Sequence, residues 1–145
     1  GLGNGMPIGA CLARGAAAEV FAPGNHGSTF GGNPLACRVG MSVLDVIEDE
    51  NLSERAAELG SRMLDAFKER LAGLDGVTHI RGMGLMLGIE LDRPCGELVT
   101  RALEQGLLIN VTADQVIRLL PPLTMDDEAC DEIVDKVTGL VRDFI

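Results

Sequence analysis

Apolar residues recur at helical spacing from Pro34 onward, after a first segment without such periodicity. Pro34 suits the first turn of a helix, where its missing N–H is not needed. We expect a second helix after Asn51, which can cap it together with Glu54. The predicted apolar faces comprise Leu35, Val39, Val43, Val46 and Ile47 in the first helix, and Leu52, Ala56, Leu59, Met63, Phe67 and Leu71 in the second.

The period changes to two over residues 77–91, where Leu85, Leu87, Ile89 and Leu91 share one face of a predicted strand. A short helix is predicted from Glu97 to Gln105, and two apolar strands follow at 107–111 and 116–120. We expect Thr124 to cap a last helix. Its predicted buried face comprises Cys130, Ile133, Val134, Val137 and Val141. The fold class is therefore α/β, with a small three-stranded sheet covered by helices.

The first 33 residues differ from the rest of the chain because they hold nine of its 19 glycines. They predict loops and one short strand, from Pro7 to Ala13. Glycine loses the most backbone freedom on folding, so such a segment needs support from outside. We therefore expect a glycine-rich N-terminal arm over residues 1–33 and the regular structure over residues 34–145.

Composition excludes several classes of protein. A net charge of −10 and an aromatic content of 3% oppose nucleic-acid binding. No apolar run is long enough for a membrane span, and no leader pattern begins the chain. Metal-ligand and disulfide spacing are both missing, which is typical of reduced, buried or half-buried thiols in a cytosolic protein. The cysteines concerned are Cys11, Cys37, Cys95 and Cys130.

The stretch "GNHGSTFGGNP", residues 24–34, places Ser28 and Thr29 between glycines. Successive backbone N–H groups and hydroxyls in such a turn suit an anion. An elaborate turn in which Thr29 bonds its own backbone fits the residues equally well. The residues alone leave both interpretations open.

Arg118 stands in the middle of an otherwise apolar strand. An unpaired guanidinium is costly on a buried surface, so Arg118 needs a carboxylate partner. That partner is either an acidic residue of the protein, which sequence alone favours, or a bound substrate carboxylate. Lys68 and Lys136 lie on polar helix faces, away from the apolar surroundings that Schiff-base chemistry uses.

Four segments taken together are quite specific: "GLGNGMPIGACLA", "GNHGSTFGGNPLACRVG", "IRGMGLMLGIEL" and "GLLINVTADQVIRLLPPLTM". In this order they resemble the C-terminal portion of class III pyridoxal-phosphate aminotransferases, especially the acetylornithine/ornithine type. The resemblance implies the type I pyridoxal-phosphate-dependent fold, usually as a cytoplasmic homodimer. Residues 1–33 would be the tail end of the large cofactor-binding domain. Residues 34–145 would be a long linking helix and the small C-terminal α/β domain.

The resemblance also implies roles for individual residues. Thr29 would donate to the phosphate of pyridoxal 5′-phosphate across the dimer interface, with Ser28 beside it near the substrate. Arg118 would hold the carboxylate of the substrate or of 2-oxoglutarate. No residue of this chain is implied as catalytic, because the lysine that forms the Schiff base would lie immediately before Gly1. We therefore expect a C-terminal fragment that is inactive alone, with residues 1–33 loose.

The implied reaction is transamination between N-acetylornithine and 2-oxoglutarate, a step of arginine biosynthesis. An ornithine or other ω-amino-acid aminotransferase is an alternative. A further alternative from a different class is a catalytically dead, stand-alone interaction module.

Overall fold

A computed structural model describes all 145 residues, Gly1–Ile145. They form two compact units, Gly1–Asn51 and Leu52–Ile145. The sequence analysis divides the chain after residue 33, whereas these units meet after Asn51. The assignment of residues 1–33 to a larger cofactor domain therefore stays a prediction. None of the helices combines the length and the apolar character that crossing a bilayer requires.

In the first unit, the residues before Pro34 form loops and one 3-10 helix, Gly15–Val20. The predicted strand from Pro7 to Ala13 is wrong, because these residues join no sheet. A strand needs a neighbour that accepts its backbone N–H groups, and the one sheet of the chain lies within the second unit. All residues from 9 to 32 are exposed to solvent.

Helix α1 spans Pro34–Asp49, with proline in the first turn as predicted. Asn33 caps it, since its side-chain oxygen accepts the N–H of Ala36 at 3.0 Å. The predicted apolar face is only partly covered: Leu35 is exposed, whereas the buried positions of α1 are Ala36 and Gly40.

The sequence predicts that Asn51 caps the second helix, but in the structure Asn51 ends α1. Its φ is +51°, in the left-handed region, and its backbone N–H donates to the Glu48 carbonyl at 3.2 Å. Asparagine is one of the few residues that adopt this conformation readily.

The second unit contains a four-stranded antiparallel sheet with the order β1-β2-β4-β3. Its elements are α2 Leu52–Arg70, β1 Val77–Met83, β2 Met86–Leu91, α3 Leu98–Glu104, β3 Asn110–Thr112, β4 Val116–Leu119 and α4 Asp127–Phe144. The α/β class is confirmed, but the predicted count of three strands is wrong. Residues 77–91 form a hairpin, which turns at Gly84 with φ of +52°.

The core joins one face of the sheet to residues of α2, α3 and α4. Its largest fully buried members include Phe67, Met63, Leu87, Ile89, Ile117 and Val137. The predicted buried stripes of α2 and α4 and the alternation along β2 are confirmed at nearly every position. Two of the four thiols, Cys11 and Cys37, are exposed, contrary to prediction.

Helix α4 is capped by Asp126, not by Thr124 as predicted. The Asp126 carboxylate accepts the N–H of Ala129 at 2.8 Å. Its φ of −81° and ψ of 173° are those of an N-cap residue. The helix therefore begins at Asp127, and the acidic group nearer to the first turn takes the capping position.

Thr138 of α4 is 4% exposed, and its Oγ1 has no hydrogen-bond partner. We expect Thr138→Val to raise the free energy of unfolding by about 1 kcal/mol, because the isosteric methyl removes a buried polar atom that forms no bond. Urea unfolding measures this change. Thr138→Ser is the control, since it keeps the hydroxyl, loses the methyl and should destabilise. A less stable valine variant would mean that the hydroxyl is satisfied in solution.

Candidate functional site

The glycine-rich loop before α1 is bent by a side-chain turn. The Ser28 hydroxyl oxygen accepts the N–H of Gly31 at 2.9 Å, and the Asn33 amide donates to the Phe30 carbonyl at 2.9 Å. The structure therefore contains a side-chain turn, but Ser28 forms it and not Thr29. The Thr29 side chain is exposed, and its hydroxyl takes no part in this turn.

Gly31 makes the turn possible. A Cβ at this position would lie 2.8 Å from the Ser28 hydroxyl oxygen and 2.9 Å from its Cβ. Gly32 follows with φ of +71°, which other residues rarely adopt. The two glycines fix a tight loop in which Ser28 is held and Thr29 is left available.

An open concavity of about 670 Å³ lies beside this loop. Ser28, His26 and the glycines line it together with Ile8 and Phe30, whereas Thr29 does not. The lining combines apolar surface with hydroxyl and imidazole groups. The chain contains no cluster of histidine, cysteine and acidic residues that could hold a metal ion.

In the second unit, Arg118 lies on the exposed face of β4 between the buried residues Ile117 and Leu119. In the sheet it is directly opposite Gly88 of β2 and Asn110 of β3. It forms no salt bridge with any carboxylate of the chain. The ion pair that sequence alone favours is therefore absent within this chain, where Arg118 is exposed.

The other charges on this face are already paired. Arg81 Nη1 of β1 lies 2.5 Å from Glu90 Oε2 of β2. The Gln115 side-chain amide donates to Glu90 Oε1 at 3.3 Å. The hydrogen bond from Arg81, followed by that from Gln115, lowers the pKa of Glu90. Arg118 is thus the cation of this face that remains without a protein partner. The sequence predicts the Arg81–Glu90 pair only if residues 77–91 are recognised as a hairpin, because the turn brings the two residues onto neighbouring strands.

A row of ion pairs joins α2 to α4 on the surface. Arg55 pairs with Asp127, Arg62 with Asp131 at 2.8 Å, and Arg70 with Asp135. The hydrogen bond from Arg55 is the largest cause of the lowered pKa of Asp127. These side chains are partly to largely exposed, so each pair adds little to stability.

Both lysines lie in polar surroundings. Lys68 is exposed, while Lys136 Nζ lies 2.6 Å from Glu132 and donates to the Gln105 carbonyl at 2.7 Å. Of the predicted site residues, Ser28 and Thr29 adjoin each other in the first unit. Arg118 lies in the second unit.

Comparison with known proteins gives one consistent family. The family model described as Aminotransferase class-III matches residues 1–141. Acetylornithine aminotransferase 1 of Bordetella bronchiseptica is 57% identical over the whole chain, and the acetylornithine aminotransferase of Nitrosomonas europaea is 52% identical. The chain spans 37% of the length of each of these two relatives.

Solved structures agree with this result. Ornithine aminotransferase from Plasmodium yoelii superposes with a TM-score of 0.82 at 35% identity, over 92% of this chain and 36% of that one. Acetylornithine aminotransferase from Elizabethkingia anophelis gives 0.75 at 39% identity, over 88% of this chain and 34% of that one. The chain therefore belongs to the class-III aminotransferase family, and the resemblance found in its sequence motifs is confirmed.

Proposed function

We propose that the whole protein is a pyridoxal-phosphate-dependent aminotransferase that moves the ω-amino group of N-acetylornithine to 2-oxoglutarate. The observation that carries this proposal is the 57% identity to an acetylornithine aminotransferase over every residue of the chain. Ornithine and other ω-amino acids are the alternative donors, and the ornithine aminotransferase structures support that alternative at lower identity.

The glycine-rich loop is proposed to hold the cofactor phosphate. Pyridoxal phosphate supplies the electron sink for amino-group transfer when it is bound. Thr29 offers an exposed hydroxyl that the neighbouring turn leaves unused, and a glycine turn presents backbone N–H groups to an anion. These donors fit a phosphate.

Thr29 is proposed to act on the cofactor of a second copy of the chain in a homodimer. Its side chain is exposed within this chain, as a residue that acts on a second copy requires. Ser28 is proposed to lie beside the substrate, since it lines the concavity from which Thr29 is absent. The two hydroxyls would then serve different ligands.

Arg118 is proposed to orient the carboxylate of the amino donor or of 2-oxoglutarate. The residue is exposed and forms no salt bridge with a carboxylate of the chain. A guanidinium in this state can form two parallel hydrogen bonds to a carboxylate. The arginine would fix the position of the substrate while the chemistry takes place elsewhere.

We expect Thr29→Ala to weaken pyridoxal-phosphate binding by roughly tenfold or more, the effect of removing a hydrogen bond to a charged group. Titration of the apoenzyme with the cofactor, followed by absorbance, measures the dissociation constant. Thr29→Ser keeps the hydroxyl and should bind nearly as the parent does. Equal affinity of the alanine variant would refute the phosphate role.

The donor is identified by comparing kcat/KM for N-acetylornithine and for ornithine, with 2-oxoglutarate as acceptor. The proposal expects a preference for the acetylated amine. A preference for ornithine would select the alternative donor. Absence of transamination with any ω-amino acid, in the full-length protein loaded with cofactor, would favour an interaction module.

A further inference from the structure

We infer that Gly88 determines which carboxylate ligands reach Arg118, by leaving an open notch beside it. The notch is the space above Gly88 on the exposed face of the sheet, with Arg118 and Asn110 on one side and Arg81 on the other. This inference rests on the carboxylate role proposed for Arg118.

The four residues form one continuous row across the sheet. Arg81 pairs with Gly88 in the β1–β2 register, Gly88 with Arg118 in the β2–β4 register, and Arg118 with Asn110 in the β4–β3 register. Neighbouring strands lie about 4.8 Å apart, so the backbones of Arg81 and Arg118 are separated by roughly 10 Å. Glycine is the only member of the row without a side chain, and the gap it leaves can admit a carboxylate.

The backbone gives no reason for glycine at position 88. Gly88 is not among the residues with positive φ, and the irregularity of the hairpin lies at Val77 and His79, away from it. A Cβ built on Gly88 would meet only two atoms within 4 Å, Val116 Cγ1 at 3.4 Å and Arg81 Cγ at 3.9 Å. Both atoms belong to side chains, of Val116 in β4 and of Arg81 in β1, so no backbone of this chain approaches the position closely.

Glycine weakens the interior of a strand, and its usual justifications there are a bulge, a bend, or close approach of a backbone or a ligand. The observations remove the bulge and, within this chain, the approaching backbone, and the regular β2–β4 register removes the bend. What remains is close approach of a group outside this chain, and the carboxylate ligand proposed for Arg118 is such a group. A methyl group fits at this position in ordinary contact, whereas a longer side chain would fill the space above Gly88, next to its sheet neighbour Arg118.

Charge decides which end of the notch the carboxylate uses. Arg81 is neutralised by Glu90, while Arg118 is not neutralised by any residue of the chain. An anion is therefore attracted to the Arg118 end and repelled from Glu90. The ligand of the notch is thus a small molecule that ends in a carboxylate. The width of the notch limits the size of the group next to that carboxylate.

The test compares Gly88→Leu and Gly88→Ala in the full-length enzyme loaded with pyridoxal phosphate. We expect the leucine variant to raise KM for 2-oxoglutarate by about tenfold or more while kcat changes little, because it obstructs binding before chemistry. The alanine variant should change KM by less than about threefold, as its methyl meets only ordinary contacts. Gly139→Leu is the matched control: it adds the same side chain in α4, where a Cβ meets no atom within 4 Å, and KM should not change.

Arg118→Gln, measured in parallel, separates this inference from the proposed function. A raised KM for Arg118→Gln with parental KM for Gly88→Leu would overturn the notch and leave the carboxylate role of Arg118 intact. A parental KM for Arg118→Gln would overturn both. If Gly88→Leu fails to fold, Gly88→Thr takes its place, since a β-branched residue suits a strand, and the same outcomes apply.

Discussion

Gly60→Ala is expected to lower the free energy of unfolding by roughly 3 kcal/mol or more, the upper range for overpacking a core. Gly60 is buried in α2, and a Cβ there would lie 2.0 Å from the Gly84 carbonyl oxygen and 2.4 Å from its carbon. These are backbone atoms at the turn of the β1–β2 hairpin, so they cannot rotate away as a flexible side chain would. The helix and the hairpin must separate to admit a single methyl group. Urea unfolding followed by circular dichroism measures the loss.

Gly139→Ala is the matched control, because it makes the same chemical change within a helix. A Cβ on Gly139 meets no atom within 4 Å, and alanine is more favourable than glycine inside a helix by about 1 kcal/mol. We therefore expect this variant to be equal to or more stable than the parent. Opposite signs for the two substitutions would identify the contact at Gly84 as the cause. Parental stability of Gly60→Ala would mean that α2 and the hairpin do not approach so closely.

The parts of the fold that the sequence predicted are those that a local pattern determines. Phe67 and Met63 lie on one face of α2 because their spacing matches the helical period, and both are fully buried. Alternation in the same way predicts the burial of Leu87 and Ile89. Each of these patterns is complete within one element, so no knowledge of the partner element is needed.

The errors arise where the outcome depends on a distant segment. The alternation of apolar residues continues through Gly84 and Leu85, so it predicts one strand where the chain turns back on itself. A segment also becomes a strand only where a neighbouring strand pairs with it, and the residues around Pro7 have no such neighbour. A period shows which residues share a face, but it does not show which element lies beside that face.

The candidate site shows the same limit. Apolar neighbours suggest that Arg118 is buried, but Ile117 and Leu119 lie on the face of β4 that packs into the core, whereas Arg118 lies on the other face and is exposed. Which face is covered depends on the packing of helices remote in sequence. The motif around Ser28 and Thr29 likewise indicated hydroxyls near an anion, but only the structure separates the one in the turn from the one left exposed.

Arg118→Gln is expected to raise KM for 2-oxoglutarate by about 30-fold or more, within the range for losing one partner of a hydrogen-bonded charge pair. Glutamine keeps a polar end but neither the charge nor the paired N–H groups that hold a carboxylate. Steady-state kinetics of the full-length enzyme give KM and kcat, and thermal unfolding of the same preparation gives stability. Arg70→Gln is the control, because Arg70 is an exposed arginine whose partner is a carboxylate of the protein itself, Asp135.

The two arginines should differ in which property changes. Since Arg118 has no protein partner, its removal leaves no carboxylate of the chain unpaired, and stability should remain at the parental value. Arg70→Gln removes a surface ion pair, which stabilises by about 1 kcal/mol at most, and should leave KM unchanged. A structural arginine at position 118 would instead lower the unfolding temperature without a specific change in KM. A parental KM for Arg118→Gln would therefore exclude this residue as the carboxylate ligand, however strongly the family motif favours it.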